Sequence, residues 1–174
     1  MWGIWRGRRE EAAGRQLGAP LRWTQRLVAA ARAPPETGDN GSMPGPARAG
    51  AVIYAVDLAR MAAFYETLLG MRRLSAAADH AVLQSPDMQL VVHAIPAFIA
   101  NTITIASPPE LREGTPIKLF FTVPNLAAAQ RVAATVGGEV FDETWEGEGF
   151  LACNGRDPEG NIFQVREQVP AATV

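Results

Sequence analysis

The sequence predicts an α+β protein made of two β-α-β-β-β repeats. Three observations carry this. A β-branched run, a stretch of helical period and three further strand candidates follow one another from residue 51 to residue 94. The same order returns from residue 117, so the repeat starts, Ala51 and Ile117, are 66 residues apart. Each helical stretch is opened by a polar capping residue and closed by glycine.

The elements follow in order. Ala51–Val56 reads as a strand because Val, Ile and Tyr crowd it. Asp57 can accept from the first unpaired N–H groups of a helix. Apolar residues at 58, 61, 64, 65, 68 and 69 form one stripe of that helix, and Gly70 supplies its stop. Met71–Ala76, His80–Gln84 and Gln89–Ala94 are strand candidates, the last two joined by a turn at Pro86-Asp87. In the second half Ile117–Val123 is a strand, and Pro124-Asn125 opens a helix over Leu126–Val136 that Gly137-Gly138 ends. Glu139–Phe141, Gly149–Cys153 and Asn161–Arg166 are strands, with a turn at Asp157-Pro158-Glu159-Gly160 before the last. The connection over 95–115 is long for a compact domain. Its partly alternating stretch Phe98–Ala106 reads as an extra strand, or as an arm that covers the sheet or meets a second copy.

Composition narrows the function classes. The chain has 174 residues, 48% of them hydrophobic, and a net charge of −2. No apolar run reaches the roughly 18 residues of a membrane span. The single cysteine, Cys153, makes no intramolecular disulfide and excludes a cysteine-rich zinc site. Two histidines, His80 and His93, leave little for a histidine-based metal centre. Residues 1–50 carry eight Arg and four acids, a net +4, while 51–174 carry eight basic and fourteen acidic residues, a net −6. An acidic body does not suit nucleic acid. The first 48 residues, rich in Arg, Pro and Gly, are expected to be a largely disordered extension with a short helix over Leu21–Ala33. They read either as a targeting or membrane-surface segment, with Trp2, Trp5 and Trp23 beside arginines, or as an upstream extension with Met43 as the start. The domain is expected over 49–168, a short tail over 169–174, and the compartment is expected to be the cytoplasm.

Two motifs carry a resemblance. Val56-Asp57-Leu58 leads into Phe64-Tyr65 and Leu68-Leu69-Gly70-Met71, and Asp157-Pro158-Glu159-Gly160-Asn161 precedes the last strand. Together, over about 50–168, they resemble the vicinal oxygen chelate superfamily, which includes glyoxalase I, extradiol dioxygenases, fosfomycin-resistance proteins and bleomycin-binding proteins. The resemblance implies a glyoxalase-like fold in which the two repeats form a cupped mixed sheet, helices on one face and a pocket on the other. It also implies metal-ligand positions, which here hold Gly50 on the first strand, Val91 on the fourth, Lys118 on the fifth and Gln164 on the last. Glycine and valine offer no donor, and a lysine ammonium donates rather than ligates. No cofactor is therefore expected, and a divalent metal only if the site is rearranged.

Strand alternation sorts the pocket-facing residues. Val52, Tyr54 and Val56 share one face, as do Gln89, Val91 and His93, Lys118, Phe120 and Thr122, and Ile162, Gln164 and Arg166. Trp145, in an acidic loop over 143–148, is expected at the mouth. The ligand-binding candidates are Tyr54, Gln89, His93, Lys118, Phe120, Trp145, Gln164 and Arg166. Lys118 reads either as a cation or base for a carboxylate or phenolate ligand, or as the partner of a nearby carboxylate. His93 reads as an acid/base group or as a backbone-bonded strand-end histidine, and Tyr54 as a donor to a ligand or as packing. His80 is expected at the surface, and Cys153 as an inert buried thiol. No catalytic residue is assigned. The expected function is metal-independent binding of a small, largely apolar molecule by a homodimer with no nucleic-acid or membrane partner. The alternatives are a lyase, isomerase or dioxygenase using a rearranged metal site or Lys118, and a subunit with no ligand.

Overall fold

The computed structural model describes residues 49–169. The extension over 1–48, its helix and residues 170–174 lie outside the described residues. Two repeats are present. The first is β1 (Gly50–Ala55), α1 (Leu58–Leu69), β2 (Arg72–Ala76), β3 (His80–Gln84) and β4 (Gln89–Ala94). After a short helix α2 (Ala97–Ala100), the second is β5 (Leu119–Thr122), α3 (Leu126–Thr135), β6 (Glu139–Gly147), β7 (Phe150–Arg156) and β8 (Ile162–Gln168). They build two four-stranded sheets, β1-β4-β3-β2 and β5-β8-β7-β6, each with one parallel pair, β1 with β4 and β5 with β8. No described helix is long and apolar enough to cross a membrane.

The helices start and stop for local reasons. The Asp57 side chain accepts from Arg60 N–H and the Asn125 side chain from Ala128 N–H. Gly70 closes α1 at φ 62°, a left-handed conformation that costs glycine nothing. α1 buries Met61, Phe64, Tyr65 and Leu68. Phe64 and Tyr65 meet edge-on at 5.1 Å and reach across to the second repeat, Phe64 to Phe163 at 5.8 Å and Tyr65 to Phe121 at 5.8 Å. α1 thus packs its own sheet and joins the inner faces of both sheets in one core, with Leu83, Leu90 and Val92 from one and Val165 from the other.

The turn over 157–161 locks the repeats together. Asp157 is fully buried, and its carboxylate accepts from the Tyr65 hydroxyl at 3.0 Å, from Asn161 Nδ2 and from the N–H groups of Glu159 and Asn161. Burial nevertheless pushes the Asp157 carboxyl up from its ordinary value. The Glu159 carboxylate reaches back more than a hundred residues to accept from Val56 N–H at 3.0 Å and Asp57 N–H at 2.8 Å. Gly160 has φ 86°, and a Cβ there would lie 2.0 Å from the Glu110 carbonyl oxygen, so only glycine fits. Arg112 N–H donates to the Gly160 carbonyl, which lays the long connection over the turn.

Three expectations are corrected. Phe98–Ala106 is not a strand: Ile99 and Ala100 N–H groups bond to the Pro96 carbonyl, making one turn of helix that leaves Phe98 exposed. The acidic stretch over 143–147 is not a loop but the outer part of β6. A register shift between Val140 and Thr144 interrupts the ladder, which then resumes from Thr144 opposite Cys153 to Gly147 opposite Phe150. Carboxylates suit this strand because it is a sheet edge with exposed side chains. Val56 leaves the pocket-facing set, because β1 ends at Ala55 and the Val56 N–H turns to Glu159.

Phe64→Ala should lose about 3–5 kcal/mol in urea unfolding, because the cavity would open where both repeats meet. Tyr65→Phe should lose about 1 kcal/mol near neutral pH. Burial first, then the Asp157 carboxylate, pushes the Tyr65 hydroxyl well above its ordinary 10.0. Above pH 10 the unfolded chain releases this proton and the native chain keeps it, so native stability falls as pH rises. The advantage of the wild type over Tyr65→Phe should therefore shrink past pH 10. An advantage independent of pH would contradict the buried hydroxyl.

Candidate functional site

Each sheet spends one face on the shared core and leaves the other open. On β1 and β4 the core takes Ile53, Ala55, Leu90 and Val92, and the outer face takes Val52, Tyr54, Gln89, Val91 and His93. On the second sheet Phe121, Phe163, Val165 and Cys153 point in, so Phe120, Gln164, Arg166 and Asn154 point out. The outer faces carry apolar groups in the open: Val52 is 46% exposed and Phe120 54%.

The outer wall of the second sheet is the more organised. Phe120 pairs with Gln164 across β5 and β8, and Asn154 pairs with Gln164 across β7 and β8. The Arg166 guanidinium lies 3.6 Å over the Phe120 ring and 4.6 Å from the Phe150 ring, and Arg166 Nε–H donates to Gln164 Oε1 at 2.7 Å. Two aromatic faces therefore hold a charged plane in a fixed orientation. Lys118, which immediately precedes β5, donates from Nζ to Asn154 Oδ1 at 3.0 Å. Trp145 stands opposite Ala152 on β6, and Ala152 opposite Arg166, so the indole lies two strands from the guanidinium, in a strand rather than a loop.

The first sheet carries a row across β1, β4 and β3. Tyr54 pairs with His93 and His93 with His80. The Tyr54 and His93 rings are 5.8 Å apart, the two imidazoles stack at 6.2 Å, and His93 Nδ1 lies 2.9 Å from the Ala94 carbonyl oxygen. His80, expected at the surface, is half-buried. Its side chain is 16% exposed, fixed between His93 and Asp79, whose carboxylate lies 2.8 Å from His80 Nδ1. That hydrogen bond holds the Asp79 carboxyl below its ordinary 3.8. Gln89 stands at the far end of β4, opposite Gly50, away from this row.

The candidates therefore fall into two groups. The structure brings Lys118, Phe120, Gln164 and Arg166 together, with Trp145 nearby, and sets Tyr54 beside His93 on the other sheet. Sequence reasoning missed Asn154, Phe150 and His80. Asn154 was within reach, since a buried Cys153 turns its strand neighbours outward, whereas the partners of Phe150 and His80 depend on cross-strand register. Cys153 is fully buried and its thiol is pushed up, chiefly by burial. Lys118 has an amide partner rather than the carboxylate that a purely structural role would supply.

Comparison with known proteins now places the chain. A family model described as a glyoxalase-like domain matches residues 50–166. The chain belongs to the glyoxalase-like family. That family lies in the vicinal oxygen chelate superfamily, as the two motifs implied. The fold is similar to that of a glyoxalase/bleomycin resistance protein/dioxygenase family enzyme from Burkholderia phytofirmans PsJN, at 18% identity and TM-score 0.53, covering 70% of this chain and 98% of that one. A glyoxalase/bleomycin resistance protein from Albidiferax ferrireducens T118 is similar at 19% identity and TM-score 0.51, covering 70% and 98%. A glyoxalase-related enzyme from Fulvimarina pelagi matches at 15% identity and TM-score 0.51, covering 72% and 94%. No curated protein sequence matches the chain.

The metal-ligand positions that the resemblance implies do not fit a metal in this glyoxalase-like chain. A Cβ on Gly50 would lie 2.8 Å from the Gln89 carbonyl oxygen, so a ligating side chain there would need the backbone to shift. Lys118 is a donor bound to Asn154, and the carbonyl of Gln164 is taken by Arg166. Val91 is apolar. Among the described residues no group of three or more His, Cys, Asp and Glu is placed to hold a metal ion.

Proposed function

We propose that this glyoxalase-like protein binds a small, largely apolar molecule against the outer faces of its sheets, without a metal. The observation that carries the reading is the state of the four implied ligand positions. Two have no donor atom, one is an ammonium, and the fourth is an amide whose oxygen is already occupied by Arg166. Metal-assisted chemistry needs a Lewis acid at that point, and the chain has replaced its ligands with an amide-tethered cation and apolar surface. Phe120, Phe150, Trp145 and Val52 give the walls the apolar and aromatic character of small-molecule sites, with a few polar groups to orient the ligand. Apolar side chains left in the open also support a homodimer, in which a second copy covers one wall and completes the binding site.

Elemental analysis of the full chain, after manganese, iron, nickel and zinc are each offered and excess is dialysed away, should find no stoichiometric metal. One equivalent of any of them would overturn the metal-free reading. Sedimentation at micromolar concentration should find a dimer that Phe120→Glu weakens, and a wild-type monomer would contradict the shared site.

A further inference from the structure

We propose that the ligand of the second sheet's outer wall is an organic anion: a flat, apolar molecule ending in one carboxylate or a similar planar oxyanion, held by Arg166 and Lys118. This rests on the small-molecule reading above and adds the charge and shape of the ligand. Three observations on the same wall carry it.

The first is unbalanced charge. Arg166 and Lys118 lie on one face, and among the described residues neither has a carboxylate within ion-pair distance, although three other ion pairs form there. Their partners are the neutral amides of Gln164 and Asn154, which orient the cations without cancelling them. The two amides are themselves register partners, so the two cations flank a single cross-strand pair.

The second is the polarity of what is left over. Arginine and lysine can only donate, so each amide must turn its oxygen toward its cation. Both amide oxygens are then engaged, and both amide NH2 groups point elsewhere. Gln164 is only 9% exposed, and its NH2 group donates to nothing among the described residues. The guanidinium keeps its Nη donors and the ammonium two of its own, likewise without partners among the described residues. A face that offers N–H donors from four side chains, two of them cationic, and whose amide oxygens are each already turned toward a cation calls for an acceptor-rich, negatively charged group.

The third is shape. The Arg166 plane is stacked on Phe120 and flanked by Phe150, which fixes the direction of its outward N–H edge. A planar oxyanion fits that edge, and the exposed Phe120 ring offers a surface for a flat apolar body.

The test is titration calorimetry of the full chain at low salt with 2-naphthoate and with 2-naphthamide, which share a ring system and differ in charge. Naphthoate should bind about tenfold or more tightly than naphthamide. The preference should shrink as salt rises, since Lys118 is exposed. Arg166→Gln should abolish most of the naphthoate-over-naphthamide preference and Lys118→Gln part of it, as expected for loss of a charge contact. Circular dichroism and melting must show each variant folded, and the wild-type comparison needs no variant. Equal binding of the two probes by the wild type overturns the anion proposal alone. A preference that survives in the double variant also overturns it, since the charge would then be read elsewhere. If neither probe binds, the small-molecule reading falls with it.

Discussion

The structure depends on where two backbone N–H groups go. The first strand ends at Ala55 and the first helix begins at Leu58, which leaves the N–H groups of Val56 and Asp57 without a ladder or helical partner. A buried or half-buried amide hydrogen must be bonded. Glu159, from the other repeat, supplies both acceptors, and Asp157 two residues earlier takes the Tyr65 hydroxyl. The turn that starts the last strand of one repeat therefore fixes the strand-to-helix corner of the other. Gly160 lets the turn close against Glu110, and the aromatic cluster of Phe64, Tyr65, Phe121 and Phe163 fills the space the turn brackets.

That constraint decides which surfaces are available for function. Once α1 joins the inner faces of both sheets, alternation sends every second strand residue to the outside, and those residues can be polar or aromatic without disturbing the core. On the second sheet they form an ordered array in which aromatic rings orient Arg166 and amides tether both cations. On the first, Tyr54, His93 and His80 make a row of rings. The resemblance implies metal-ligand positions among these outward residues, at Gly50, Lys118 and Gln164, with a fourth, where present, near Val91. Here one of the four cannot carry any side chain without moving Gln89, and another has its oxygen committed to Arg166.

Much of this was legible in the sequence, because much of it is local. Helical spacing from Leu58 to Leu69, the caps Asp57 and Asn125 and the stop at Gly70 are all set within a few residues. The inward and outward assignment of Leu90, Val91, Val92 and His93 needs only the period of two. What was not legible depends on pairing between distant segments. The acidic run after Phe141 looks like a loop until the register shift against β7 makes it an edge strand. That His80 stacks on His93 depends on the antiparallel pairing of β3 with β4. The acids of the 157–161 turn look like ordinary turn residues. Nothing near them in the chain shows that their partners are Tyr65, Val56 and Asp57.

The central claim is that the two repeats are one folded unit because Glu159 and Asp157 hold the corner after β1. Native-state hydrogen exchange at the Val56 and Asp57 amides tests it most directly. Both lie outside regular secondary structure, and without the Glu159 carboxylate they would exchange quickly. The account predicts that they exchange only with global unfolding, at the same free energy as the Val92 and Val165 amides in the two sheets, and that Glu159→Ala releases them. Exchange of these two amides far ahead of the sheets in the wild type would show that the corner opens by itself, and would contradict the claim.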